Sequence, residues 1–110
     1  MANQNLYKGS LQTIILKLLS ENEKMYGYEI TQKVKEITKG KLTITEGALY
    51  PTLHKLEAQG LLSVEVKEVS NRLRKYYKLT ESGIEETNQK LLELENFIQT
   101  ITTLINPKIA

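Results

Sequence analysis

The apolar residues of this chain follow two different spacings. In four segments they recur every three or four positions, which is the spacing of a helix that buries one face. In two shorter segments that follow the third helical segment, apolar and polar residues alternate, as in a half-buried strand. The pattern predicts three helices, a β-hairpin and a long C-terminal helix, so the expected fold class is mostly α with a small β-hairpin.

The first two helices are expected to form part of the core. Ser10 is a suitable N-cap for a helix over residues 11–20, whose apolar positions make a broad stripe. The second helix opens at Tyr26-Gly27-Tyr28-Glu29-Ile30 and ends near Gly40, because Gly favours the left-handed conformation in which many helices end. Its buried face is predicted to carry Ile30, Val34 and Ile37.

The third helix is predicted between Thr45, which can cap its start, and Gly60, which can end it. Just before it, residues 41–45 alternate around Leu42 and Ile44 and predict a very short strand. The inward side of the helix is expected to carry three leucines at helical spacing, Leu49, Leu53 and Leu56.

The opposite side of the third helix lacks the Glu, Lys and Gln residues that usually cover a solvated helix. It presents small residues, an aromatic ring and a few long donors: Gly47, Pro51 and His54 at its centre, with Tyr50 and Lys55 on its flanks. Such a surface is typical of a helix that a large partner approaches closely. An ordinary amphipathic helix with a sparse polar face is the alternative.

The hairpin and the segment after it differ sharply in charge. The two alternating segments are predicted to pair as strands around a loop at residues 70–72. The net charge of the chain is +2, but residues 67–78 carry a local balance of +4 and residues 81–95 a balance of −4. This distribution indicates that a polyanion binds at the hairpin and is kept away from the acidic segment.

The amino-acid composition excludes several classes of function. At 110 residues the chain is long enough for one domain with a single core. It has no Cys and no Asp, and its one histidine, His54, cannot build a multi-histidine site, so we expect no enzyme, no metal site and no cofactor. No run approaches the ~18 apolar residues of a membrane span, and the start does not look like a signal peptide. We expect a cytoplasmic protein.

The order helix, helix, helix and basic hairpin is that of a winged helix-turn-helix. Four sequence motifs then carry a closer resemblance: Tyr26-Gly27-Tyr28-Glu29-Ile30, the run from Glu46 to Glu57, Gly60-Leu61-Leu62, and the run from Arg74 to Thr80 with Gly83. In this order and at this spacing they resemble the PadR family of bacterial transcriptional repressors. The resemblance covers residues 9–83.

The resemblance implies that the third helix enters the major groove of DNA and that the hairpin, the wing, reaches phosphates or the minor groove beside it. The residues expected to contact DNA are Tyr28, Gly47, Ala48, Tyr50, Pro51, His54, Lys55, Arg72, Arg74 and Lys75. Two features depart from the family pattern. Ser70-Asn71-Arg72-Leu73 replaces the Gly and Pro of many relatives, which leaves the shape of the wing tip open. There is also no Trp, so relatives that sandwich flat drugs between paired Trp side chains are not a guide to this chain.

Pro51 allows two interpretations. Within the helix, it would remove one backbone hydrogen bond and crowd the carbonyl of Gly47, so that the start of the helix bends and brings Gly47 and Ala48 close to base edges. Alternatively, the regular helix begins near Tyr50 and Pro51 lies in its first turn. The resemblance favours the first interpretation.

From Thr80, a possible N-cap, a long helix is predicted to run to residues 106–107. Its apolar positions are separated alternately by three and four residues, which makes a heptad seam that needs a partner, most simply the same helix of a second subunit. The seam residues expected to pair subunits are Ile84, Leu91, Leu94, Ile98, Ile101 and Ile105. The resemblance implies a cleft between subunits, for which Tyr7 and Phe97 are the candidates to bind a small apolar or aromatic effector.

These features predict a DNA-binding domain at residues 1–80 and a dimerisation helix at residues 81–110. The expected function is a homodimeric repressor that binds a pseudo-palindromic operator in double-stranded DNA and responds to a ligand or to stress. The alternative is a winged-helix module that binds protein rather than DNA. The positive hairpin argues against that alternative, since a protein-binding wing has no need of it.

Overall fold

The computed structural model describes residues 7–106, which form four helices and a three-stranded antiparallel sheet, so the predicted fold class is confirmed. The sheet order is β1-β3-β2. In chain order the elements are α1 (Leu11–Glu21), β1 (Met25–Tyr26), α2 (Gly27–Ile37), α3 (Glu46–Ala58), β2 (Leu62–Val69), β3 (Arg72–Leu79) and α4 (Glu81–Ile105).

The wing is a hairpin whose strands pair over their full length. Its register runs from Leu62 opposite Leu79 to Val69 opposite Arg72. The two residues between the strands, Ser70 and Asn71, have φ of 50° and 64°. Positive φ at both central residues is the geometry of a type I′ turn, whose twist matches that of the paired strands. The shape of the wing tip, which the sequence left open, is therefore a tight two-residue turn.

The short strand predicted at residues 41–45 is wrong. Leu42 and Ile44 are buried, but the segment between α2 and α3 is irregular. The hydroxyl of Thr38 accepts a hydrogen bond from the backbone N–H of Leu42 at 3.0 Å. The alternation arises because two side chains of an irregular segment enter the core. The strand that completes the sheet is β1 instead, where Met25 lies opposite Tyr77.

Most of the predicted core positions are confirmed. The leucines of α3 and the inward residues Ile30 and Val34 of α2 are buried among α1, α2 and the sheet. Ile37 was expected inside but is 60% exposed, because α2 ends there beside an open groove between α1, α2 and α4. Ser10 occupies the N-cap position of α1 without a side-chain hydrogen bond, since its φ and ψ of −106° and 2° lie outside the extended region that a capping side chain needs. The predicted end near Lys39-Gly40 lies just beyond the C-cap Thr38, and both of those residues have positive φ where the chain leaves the helix.

A junction of hydrogen bonds holds α4 against the end of α3. The carbonyl of Leu61 accepts the backbone N–H of Thr80 at 3.0 Å. The hydroxyl of Thr80 donates to the carbonyl of Gly60 at 2.7 Å and accepts the N–H of Gly83 at 3.0 Å, which confirms the predicted N-cap. Gly83 lies so close to the Leu61 carbonyl that an added Cβ would overlap it. One turn later, the buried hydroxyl of Thr87 donates to the carbonyl of Gly83 at 2.7 Å.

The two halves of α4 have different surroundings. In the first half, Gly83 and Thr87 are buried and Leu91 and Leu94 are half-buried beside α1. The whole helix has 25 residues and is about 38 Å long at 1.5 Å per residue. Its second half exposes four large apolar side chains, Phe97, Ile98, Leu104 and Ile105.

We expect Gly83→Ala to lower the thermal unfolding temperature. The new methyl group meets a backbone carbonyl that cannot move without breaking the junction, and overpacking of this kind costs about 1 to 3 kcal/mol. The matched control is Gly47→Ala, also within a helix, where the nearest atom would be the Thr45 hydroxyl oxygen at 3.9 Å. That variant should gain about 1 kcal/mol of helix propensity. Equal unfolding temperatures for the two variants, measured by circular dichroism at one protein concentration, would contradict the proposed role of the junction.

Candidate nucleic-acid interface

A cleft of about 460 Å³ lies between the start of α2, the outward side of α3 and strand β3. We call it the wing cleft. It brings together five of the residues predicted to contact DNA, Tyr28, Tyr50, His54, Arg74 and Lys75. Its remaining lining residues are Tyr26, Gly27, Leu73 and Tyr77.

The first turn of α3 is open at its surface. Gly47 and Ala48 are exposed, and the hydroxyl of Thr45 accepts the backbone N–H of Ala48 at 3.2 Å, which confirms the predicted cap. Because α3 begins at Glu46, Pro51 lies inside the helix, and the alternative in which the regular helix begins near Tyr50 is wrong. The backbone of this turn can therefore be approached closely from outside.

The outward side of α3 continues from this turn towards the wing. Pro51, His54 and Lys55 are all exposed. The rings of His54 and Tyr50 lie 6.4 Å apart between centroids, at a tilt of 40°. Together with the open first turn, these residues form one continuous surface that borders the wing cleft.

Tyr50 differs from its neighbours because it also packs inside the fold. Its side chain is half-buried and its ring lies on Gly27, the first residue of α2. A Cβ at Gly27 would overlap the Tyr50 hydroxyl. Gly27 thus leaves room for the Tyr50 ring against the start of α2, and the same ring forms one wall of the cleft.

Arg74 is held in place by aromatic rings. Its guanidinium carbon lies 4.0 Å from the ring centroid of Tyr26, a cation–π geometry. Tyr26 in turn meets Tyr76 edge to face, with centroids 5.4 Å apart and an angle of 78°. Arg72 and Lys75 are more exposed than Arg74, and Arg72 lies at the tip of the wing opposite Val69. Of these three predicted contacts, Arg74 is therefore oriented by an aromatic ring, whereas Arg72 and Lys75 are exposed.

A neutral tyrosine, Tyr77, lines the inner end of the cleft. Tyr77 is buried, and this burial raises the pKa of its phenol, with smaller contributions from Glu57 and Tyr50. The phenol therefore stays protonated and adds no negative charge beneath Arg74 and Lys75. At the opposite end, Tyr28 is 62% exposed and stands at the mouth of the cleft.

Four lining residues were not predicted from the sequence. Tyr26 and Gly27 adjoin Tyr28 in one of the four sequence motifs. The motif therefore marks this segment of the chain, but it does not indicate which residues the two side-by-side positions contact. Leu73 is 77% exposed and shares its face of β3 with Lys75 and Tyr77, so strand alternation could have placed it beside them.

The residues predicted for an effector site do not meet within one chain. Tyr7 lines a cavity of about 250 Å³ beside α1 and the start of α3, whereas Phe97 does not line it and is 61% exposed on α4. Of the predicted dimerisation residues, Leu91, Leu94 and Ile101 are half-buried, and Ile84, Ile98 and Ile105 are exposed.

Within residues 7–106, no group of three or more His, Cys, Asp or Glu side chains could hold a metal ion. None of the helices in that range is both long enough and apolar enough to cross a membrane.

A helix whose outward side shares a cleft with a cationic two-stranded wing is the arrangement of a winged-helix DNA-binding protein. Residues 15–89 match the transcriptional regulator PadR-like family. The chain is 37% identical over 76 residues to the transcriptional regulator Rv3488 of Mycobacterium tuberculosis, which covers 69% of this chain and 67% of that protein. The protein therefore belongs to the PadR-like family of transcriptional regulators.

Solved structures agree with this assignment. A transcriptional regulator from Clostridium thermocellum is 31% identical and superimposes with a TM-score of 0.85, covering 93% of this chain and 99% of that one. A PadR family transcriptional regulator from Eggerthella lenta is 26% identical, with a TM-score of 0.81 and coverage of 94% and 88%.

Proposed function

We propose that the protein is a homodimeric repressor of transcription that binds a pseudo-palindromic operator and is released by a small apolar or aromatic effector. In this proposal residues 1–80 bind DNA and residues 81–110 pair the subunits. The observation that carries the DNA-binding part is that Tyr50 and His54, on the outward side of α3, line one cleft together with the wing cations Arg74 and Lys75. A module that binds only protein would have no use for the oriented Arg74.

The proposal divides the predicted contacts into two kinds. Gly47 and Ala48 carry little or no side chain, so the backbone of α3 can approach base edges, and Tyr50, Pro51, His54 and Lys55 continue that surface along the groove. Cations and phenols at the wing cleft suit phosphates, which fix position without carrying sequence information. We assign that role to Tyr28, Arg72, Arg74 and Lys75.

We expect Gly47→Glu to weaken operator binding without lowering the unfolding temperature. The position has room for a side chain, but a carboxylate there meets the groove, and loss of a base contact costs about 1 to 3 kcal/mol. The operator is first obtained by selecting bound fragments from random duplex DNA, and affinity is then measured by fluorescence anisotropy. The matched control is Gly9→Glu, since Gly9 is exposed, has no atom within 4 Å of an added Cβ and lies before α1. Unchanged operator affinity for the Gly47 variant would refute the assignment of α3 to the groove.

The second half of α4 supports pairing of subunits. Its large apolar side chains have no cover among the described residues of the chain, and burying an Ile or Leu contributes on the order of 1.5 to 3 kcal/mol. The heptad spacing of the seam suits a second α4, and closed two-fold pairing is the commonest arrangement of such subunits. A dimer of this kind would hold two α3 helices about 34 Å apart, which is the separation of successive major grooves on one face of DNA.

We expect Ile98→Glu with Ile105→Glu to give a monomer that has lost most of its operator affinity. Both side chains are exposed in the single chain, so their replacement spares the core, whereas two buried charges per subunit would oppose the dimer. The matched control is Leu92→Glu with Gln99→Glu, which adds the same charge at exposed positions of α4 outside the seam. Sedimentation gives the oligomeric state and circular dichroism the fold. A variant that remains dimeric, or a monomer that binds as tightly as the parent, would rule out pairing through the seam.

The cavity beside Tyr7 supports the effector part of the proposal. Its walls are apolar, with Leu11, Leu42 and Ile44 among them, and they continue to Thr45 and Ala48 at the capped start of α3. A ligand in this cavity would press on the helix that the proposal places in DNA. In the dimer, Phe97 would act from the surface of α4 rather than from this cavity.

We expect a small anilinonaphthalene dye to bind this cavity and to lower operator affinity. Dye fluorescence measures binding, and anisotropy of labelled operator measures the effect on DNA. Leu11 is half-buried and lines the cavity, so Leu11→Trp should fill the cavity and reduce dye binding. Leu92→Trp, on the exposed side of α4, should leave dye binding unchanged. If the dye binds the parent without any change in operator affinity, the cavity has no regulatory role and the amount of protein alone sets repression.

A further inference from the structure

Three cations gather on the outer face of the sheet, the face turned away from the helices. Lys24 and Lys67 both lie over the ring of Tyr76, with their Nζ atoms 5.6 and 5.8 Å from its centroid. Arg74 lies over the neighbouring ring of Tyr26. We call Lys24, Lys67 and Arg74 the sheet-face cluster. Only Arg74 was among the residues predicted to contact DNA.

The cluster carries more positive charge than its surroundings neutralise. Glu65 on β2 forms an ion pair with Lys24, with Nζ and Oε2 2.9 Å apart. Lys67 is placed directly opposite Arg74 in the hairpin, and like charges in that position destabilise a strand pair. Glu23 acts on both lysines at longer range, while Lys78 acts on Glu65 from the same side.

The two lysines are close enough to disturb each other's protonation. The close approach of the Lys24 amino group, and its positive charge, lower the pKa of Lys67. The hydrogen bond and ion pair with Glu65 keep Lys24 protonated and raise its pKa. An anion seated between the two amino groups would remove this repulsion, because it offers both of them an acceptor.

The cluster is continuous with the wing cleft, because Arg74 belongs to both and the Tyr26 ring beneath its guanidinium also lines the cleft. We propose that Lys24 and Lys67 together hold one backbone phosphate of the bound duplex beside the wing, so that the DNA contact extends from the cleft onto the outer face of the sheet. This inference rests on the proposed function. The phosphate contact is independent of sequence, and Glu65 competes with it for Lys24.

The first experiment removes both charges with Lys24→Gln and Lys67→Gln. We expect specific and random duplex DNA to be weakened by the same factor, and the slope of log K against log salt to fall by about 0.9, which is one phosphate contact. The matched control is Lys17→Gln with Lys90→Gln. It removes two helix lysines that are also paired with Glu, and the side chain of Lys90 is as exposed as that of Lys24, at 26% against 27%. The control should leave the slope unchanged.

The second experiment acts in the opposite direction. Glu65→Gln frees Lys24 for the phosphate, so we expect both specific and random DNA to bind more tightly. Glu21→Gln is the matched control, because Glu21 has the same exposure, 55% against 54%, and also pairs with a lysine. A general effect of net charge would strengthen binding equally in the two variants and would overturn the proposal.

A reference variant separates this inference from the proposed function. Arg72→Ala at the wing tip should lower the slope if the wing contacts phosphates at all. If Arg72→Ala lowers it and the Lys24 and Lys67 variant does not, the phosphate contact on the sheet face is refuted and the proposed function stands. If the parent binds no duplex in a salt-dependent way, both fail.

The parent is also titrated with inorganic phosphate while the lysine Nζ signals are followed by NMR. A response to phosphate but not to duplex DNA would assign the cluster to a free anion and overturn the proposal.

Discussion

The position of α4 depends on the contact between Gly83 and the carbonyl of Leu61. Leu61 lies in the short connection between α3, which ends at Ala58, and β2, which begins at Leu62, so its carbonyl lies between the two parts of the interface. The Thr80 N–H and the bare Cα of Gly83 approach this one carbonyl from α4. No flexible linker separates the long helix from the DNA-binding surface. If α4 pairs two subunits as proposed, the junction converts the geometry of that pairing into a fixed separation of the two α3 helices.

The elements with strong periodicity could be predicted from the sequence, and the weak ones could not. The helices α1 to α4 and the hairpin follow from spacing and from caps such as Thr45 and Thr80. Strand β1 has two residues and exists only because Met25 and Tyr26 meet β3, so no local pattern marks it. The error at residues 41–45 has the opposite cause, since two buried side chains in an irregular segment imitate the alternation of a strand.

The candidate site could be predicted as a set of residues but not as a set of contacts. Helix periodicity placed His54 and Gly47 outward, and charge counting marked the wing. Neither pattern could show that the Tyr50 ring both lines the cleft and packs on α2. That contact depends on the absence of a Cβ at Gly27. The sequence patterns also could not predict that Lys24 lies beside Lys67, which is 43 positions further along the chain. The two are neighbours only because β1, β3 and β2 pair in one sheet.

The second half of α4 has no covering surface among the described residues of the chain. The part of α4 beyond Leu94 extends a helix whose first half is packed, but it has little contact of its own with the rest of the described chain. Its apolar side chains lower the free energy of the helix only if a second surface covers them. Pairing of subunits would therefore order this segment and bury its seam in a single step. The stability of the long helix and the affinity for two half-sites would then both depend on protein concentration, because each requires the dimer.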